Sequence, residues 1–192
     1  MSKIFDSKNY KRLESKERYE LMNPKETLLK LGLEPEHAML DVGSGTGFFA
    51  IPAAKMLEQN KKVYALDLSA DMNLILTERA REEYVNNIEI FLAKGEDRLP
   101  IQNNVIDFVL VAFVFHETNE YQTFLQNIKK TMNSMSKIAI MEWKKQEEPI
   151  GPPIDHRLEE TFVKEQLEKA GFMNINSIDL NGSHYGVVGV KK

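Results

Sequence analysis

The chain has 192 residues, 42% hydrophobic and 28% charged, which suits one soluble domain with a core of its own. With 25 basic against 29 acidic residues and a net charge of −4, bulk electrostatic binding of nucleic acid is disfavoured. There is no cysteine, which excludes disulfides, thiolate metal sites and cysteine nucleophiles.

Residues 1–30 are strongly charged, with Phe5, Tyr10, Leu13, Tyr19 and Leu21 scattered through them. They contain no apolar signal core. The longest apolar run, residues 105–115, includes Asp107 and is too short for a bilayer, so no membrane span and a cytoplasmic location are expected. The segment reads as a helical cap on a core of residues 31–192, all in one domain.

From Met39 the pattern alternates. "AMLDVG" is a buried strand ending at Asp41, and "FFAIPAAKMLEQN" has helical spacing, with Pro52 tolerated in its first turns. "KKVYALDL" is a strand ending near Asp67, and Ser69 N-caps the next helix, which carries Met72, Ile75, Leu76 and Ala80. "IEIFLAKG" and the almost wholly apolar "VIDFVLVAFVF" are further strands, the second buried on both faces. A helix over 120–132, a strand "KIAIMEW", a helix over 157–170 closed by Gly171, and strands "INSIDL" and "HYGVVGVKK" follow. Strands alternating with helices predict an α/β doubly wound sheet, mostly parallel, with helices on both faces. The last two strands, joined only by "NGSH", predict an antiparallel hairpin at one edge. Ligands of such sheets bind beyond the C-terminal strand ends, near the switch point.

"DVGSGTG" lies at that place, with Gly43, Gly45 and Gly47. Glycines allow positive φ and close backbone approach, and the following helix N-terminus favours a negative group. A tight turn without ligand has the same look. The spacing is not that of the dinucleotide fingerprint G-x-G-x-x-G, because Phe48 stands where the third glycine belongs. Neither a phosphate-binding G-K-[ST] nor a G-x-S-x-G elbow is present. Asp67, twenty residues beyond Gly47, is spaced to accept hydrogen bonds from ribose hydroxyls, or to precede the Ser69 helix as a local cap.

"LDVGSGTG", "VYALDLSADM" and "KGEDRLPIQNNVIDFVLVAFVFHE", in that order, resemble the successive motifs of class I S-adenosylmethionine-dependent methyltransferases of the ubiquinone/menaquinone-biosynthesis type. The resemblance covers residues 33–141. It implies a Rossmann-like sheet of about seven strands, S-adenosyl-L-methionine as cofactor and S-adenosyl-L-homocysteine as product. It further implies that Asp41 anchors the methionine amino group, directly or through water, and that Gly43, Gly45 and Gly47 line the methionine and ribose. Asp67 would take the ribose diol, Leu68 and Met72 would pack on adenine, Glu96 or Asp97 or the loop backbone alone would read its amino group, and Ala112 and Phe113 would meet the methionine end. Two positions depart from the pattern: Gly95 replaces a common acid, and "MNSMSK" replaces the glycine-rich turn before the fifth strand.

Methyl transfer from a sulfonium is an in-line displacement, in which the protein supplies positioning and a dry site. A base is needed only where the acceptor must lose a proton. His116 and Glu117 follow the fourth strand; His116 is a base or a pocket-shaping group. Glu142 and Trp143 end the fifth strand, Trp143 as a pocket wall or as core. "GPPIDHR" reads as a stiff loop that presents His156 and Arg157 at a pocket mouth, Arg157 for a carboxylate or phosphate, or else as a capping segment with Asp155 as N-cap and Arg157 paired with acids of its own helix. No metal site is expected, since no ligand pair has tight spacing. Residues 1–30 are either a lid over the cleft, with Tyr10 and Tyr19 in it, or a helix docked elsewhere.

The expected function is methyl transfer to a small-molecule acceptor, by a monomer or homodimer. The rivals are an RNA or protein methyltransferase, a non-catalytic cofactor-binding protein, and a nicotinamide oxidoreductase, the last disfavoured by Phe48.

Overall fold

A computed structural model describes residues 15–95 and 99–192, and its strands fall where the apolar runs predict them. Two short helices, α1 (Lys16–Leu21) and α2 (Pro24–Leu31), precede the sheet. Asn23 caps α2, accepting from the N–H groups of Lys25 and Glu26, and Pro24 fills the first helical position, where no donor is missed. Then come β1 (Met39–Val42), α3 (Ala50–Met56), β2 (Val63–Asp67), α4 (Ala70–Glu82), β3 (Ile88–Leu92) and β4 (Ile106–Ala112). The remainder is α5 (Tyr121–Thr131), β5 (Met132–Trp143), α6 (Glu160–Lys169), β6 (Phe172–Asp179) and β7 (His184–Lys191).

The seven strands form one sheet in the order β3-β2-β1-β4-β5-β7-β6. β1 to β5 are parallel, and β7 runs antiparallel between β5 and β6. The order reverses between β1 and β4, so a crevice opens there at the carboxyl ends. Alternate residues feed two cores. Met39, Phe108, Leu110, Ala139 and Met141 pack under α2, α3 and α4 on one face. Leu40, Val109, Val111, Ile138 and Ile140 pack under α5 and α6 on the other. Phe108 is fully buried, and truncating such a ring to alanine removes about 3–5 kcal/mol.

Three boundaries differ from the sequence reading. β5 begins at Met132, directly after α5, not at Lys137. Its pairing with β4 jumps from Ile106↔Met132 to Phe108↔Lys137, and the extra residues are absorbed by a bulge with Met135 at φ 63°. No glycine turn is needed there. α6 begins at Glu160 with Glu159 as its N-cap, so Asp155 is not a cap. Pro153 and the extended Arg157 bracket a separate 3-10 turn, Ile154–His156, which cannot run on into the helix. β6 starts earlier than expected, at Phe172. Among the described residues no helix is long and apolar enough to cross a membrane.

Candidate active site

The glycine turn is closed on itself and on β2. The Gly43 and Ser44 amides donate to the Leu66 carbonyl at 2.7 and 3.1 Å, and the Gly47 amide donates to the Ser44 carbonyl at 2.9 Å. Gly43, Gly45 and Gly47 all have positive φ, at 72, 52 and 89°. At Gly43 and Gly47 the missing Cβ serves packing: an added carbon would collide with Val114 and Leu76 respectively. Packing alone is thus enough to require glycine at those two positions.

Asp67 ends β2 and is wired into this turn. Its Oδ2 accepts the Gly45 amide and its Oδ1 the Ser69 amide, both at 2.8 Å. Each oxygen keeps a further lone pair. Ser69 caps α4 by accepting the Met72 amide at 3.3 Å. Leu68 is 50% exposed and Met72 is buried. Glu96 and Asp97 lie outside the described residues.

Asp41 is 2% exposed and its Oδ2 has no hydrogen-bond partner. Burial, reinforced by the Asp67 charge, pushes its carboxyl up to about 7, and the Ala50 amide and Arg18 offset this only in part. Arg18 comes from α1. Its guanidinium lies 4.1 Å over the Phe48 ring and 6.0 Å from Phe113, and burial lowers its own pKa to about 10. Tyr19 packs on Phe48 at 4.6 Å, and its hydroxyl accepts from Arg79, which also donates to the Thr46 carbonyl. α1 is thus laid over the glycine turn. Tyr10 and residues 1–14 lie outside the described residues.

Past β4, Ala112 leads into Phe113, held at φ 60°, and then into a 3-10 turn, Phe115–Glu117. His116 is fastened twice to the buried Glu142 at the end of β5. Its amide donates to Oε1 at 3.1 Å, and Nδ1 lies 2.8 Å from Oε2. The carboxylate thereby makes Nδ1 the donor and fixes the ring's orientation. Burial pushes Glu117 up to about 7, His116 pulling it down while Glu142 and Asp67 push it further up. Thr118 Oγ1 is buried without a partner.

Arg157 does not present itself to a ligand. It is 4% exposed, and its guanidinium donates to four carbonyls of its own loop, those of Lys144, Gln146, Ile150 and Pro152, at 2.8–3.1 Å. Neither a role in anion capture nor pairing with acids of α6 survives. His156 is exposed on the 3-10 turn, and no contact brings it to His116. Two residues at the cleft carry no local signal in the sequence: Arg18, and His184, which stacks edge-on against Trp143. No group of three or more His, Asp or Glu among the described residues is arranged to hold a metal ion.

The methyltransferase domain family matches residues 39–134, half of the chain. The demethylmenaquinone methyltransferase of Porphyromonas gingivalis is 30% identical over 106 residues, 55% of this chain and 43% of that protein. The corresponding protein of Oceanobacillus iheyensis is 25% identical over 118 residues, 62% and 49% of the two chains. This chain thus spans about half the length of the curated relatives it matches. A crystal structure of a SAM-dependent methyltransferase from Aquifex aeolicus superposes with a TM-score of 0.92 at 32% identity, covering 98% of this chain and all of that one. With the family domain over its glycine turn and switch point, and that structure matched almost end to end, the chain belongs to the class I S-adenosylmethionine-dependent methyltransferases.

Proposed function

We propose that this protein uses S-adenosyl-L-methionine to methylate a small planar acceptor, in the cytoplasm and without a metal. The observation that carries the reading is Asp41: a buried carboxyl with a bare oxygen at the switch point, beside the Asp67-braced glycine turn. A cationic amino group is the partner such an oxygen lacks, so the residues fit this cofactor. When bound, the cofactor supplies an electrophilic methyl group on a sulfonium.

Asp41 would give up its proton to pair with the ammonium. Asp67 would accept the ribose hydroxyls on its remaining lone pairs, already oriented by Gly45 and Ser69. Leu68 and Met72 would flank adenine, Glu96 or Asp97, or the backbone of their loop, would read its amino group, and Ala112 and Phe113 would border the methionine end. α1 would exclude water, with Tyr19 and Arg18 over Phe48. His116, held by Glu142, would take a proton from the acceptor at its Nε2 where the chemistry requires one. His156, exposed on the 3-10 turn beside the buried Arg157, would be a second base. The similarity to demethylmenaquinone methyltransferases supports a ring acceptor.

Calorimetry with S-adenosylmethionine, S-adenosylhomocysteine and NAD tests the reading. The first two should bind and NAD should not; binding of NAD alone would overturn it.

A further inference from the structure

We propose that His184 reads the methyl acceptor, its Nε2 receiving an O–H or N–H from a planar substrate that rests against Phe113 and Trp143. This rests on the methyltransferase reading of the cleft. It adds a residue outside the glycine turn and outside the His116–Glu142 pair.

Position comes first. β7 is antiparallel to β5, and the register pairs Trp143 with His184. The start of β7 therefore lies at the carboxyl edge of the parallel strands, beside the crevice. Side chains alternate along strands. Met39, Leu110 and Met141 belong to the core under α2 and α3, so Asp41, Ala112 and Trp143, two residues further along each strand, share that face. Phe113, Trp143 and His184 then close on one another. Ring centroids are 5.9 Å apart for Phe113–Trp143, 5.2 Å for Phe113–His184 and 4.2 Å for Trp143–His184. Trp143 is backed by Gly151, where a Cβ would come within 2.9 Å of the indole. Phe113 keeps a positive φ, a strained conformation for a bulky residue.

The tautomer follows from Asn181. Its Oδ1 accepts the Ser183 and His184 amides, each at 2.9 Å, which identifies that atom as the oxygen. His184 Nδ1 lies 3.0 Å from the same oxygen, so Nδ1 carries the hydrogen. Nε2 is then a bare lone pair. The residue is 0% exposed, and Nε2 is buried with no partner. The ring stays neutral: burial, then Arg18, Arg157 and Lys144, pull its pKa down to about 4 against the opposing charge of Glu148. An imidazole that weakly basic is a poor proton carrier at neutral pH but a good selector, because an analogue lacking the donor leaves Nε2 unpaired. The acceptor site is also tied to α1, since Asn181 Nδ2 donates to the Leu21 carbonyl at 3.1 Å.

The test uses the whole chain loaded with S-adenosylhomocysteine and two probes, 2-naphthol and 2-methoxynaphthalene, titrated by calorimetry. Wild type should bind 2-naphthol at least about tenfold more tightly, the discrimination of one hydrogen bond. His184→Phe should equalise the two probes while homocysteine-cofactor affinity stays within about twofold of wild type. In wild type, the Nε2 nitrogen resonance should start at the unprotonated position and move upfield with 2-naphthol only; this readout stands even where the variant fails to fold. Equal binding of the probes by wild type, no binding of either, or discrimination that survives in His184→Phe would each overturn the role of His184 and leave the cofactor reading intact. Failure of S-adenosylhomocysteine to bind would overturn both.

Discussion

The two halves of the cleft are built differently. On the β2 side the backbone of the turn is tied up, Asp67 holding Gly45 and Ser69 and the Leu66 carbonyl holding Gly43 and Ser44, while Ser44 Oγ and Asn73 Oδ1 stay buried without a partner. On the side of β1, β4, β5 and β7, buried atoms are left over, among them Asp41 Oδ2, Thr118 Oγ1 and His184 Nε2. Unpaired buried groups destabilise a fold, and here two of them, Asp41 Oδ2 and His184 Nε2, belong to ionisable side chains. The first half is braced by its own carboxylate and carbonyl; the second carries ionisable groups with bare atoms.

The largest expected effect breaks the second half at its chemistry. His116→Ala should lower turnover about 10²-fold or more, with S-adenosylhomocysteine affinity changed less than about twofold. Equal loss in both would make His116 a packing residue. Next, Asp41→Asn should weaken cofactor binding about 100-fold, the loss of a charge-assisted hydrogen bond, without lowering the melting temperature at pH 8. Asp67→Ala should weaken binding only about tenfold, yet destabilise the free protein by roughly 1–3 kcal/mol, because two amides lose their acceptor. That opposition between affinity and stability, read by calorimetry and thermal melts, is the sharpest test of the comparison.

The smallest effect is with pH. Asp41 titrates near 7 in the folded protein, above the ordinary carboxyl value of 3.8. A raised carboxyl pKa means that the folded state holds its proton longer, so this group's contribution to stability is full below about 4 and is lost as pH rises to about 7. Cofactor pairing favours the ionised form, so affinity should run the other way and fall about tenfold from pH 8 to pH 6. Asp41→Asn should flatten both profiles in calorimetry and in melts.

Much of the fold was legible because its signals are local. Alternating strand and helix periods, Ser69 as a cap, and the turn "NGSH" each depend on a few neighbouring residues, and the structure keeps them all. Asp41 and Asp67 could be picked out because a spaced glycine turn stands between them. Arg157 misled because proline, glycine and a cation in one stretch look like an exposed rigid loop, whereas the loop folds back on the guanidinium. His184 gave no signal at all. Its meaning depends on the Trp143↔His184 register and on Asn181, contacts that no periodicity records. The start of β5 was missed because a bulge, unlike a turn, needs no characteristic residue.

The loop between β5 and α6 has little regular structure, but one guanidinium gathers carbonyls from Lys144, Gln146, Ile150 and Pro152. Carbonyls carry no side-chain identity. Substitutions at most positions of this loop therefore leave its anchor intact, while replacing the anchor itself, even by lysine, removes the planar fork on which all four contacts depend. The loop beside Trp143 can accumulate sequence change while the sheet stays as it is, which makes this stretch the natural ground for divergence.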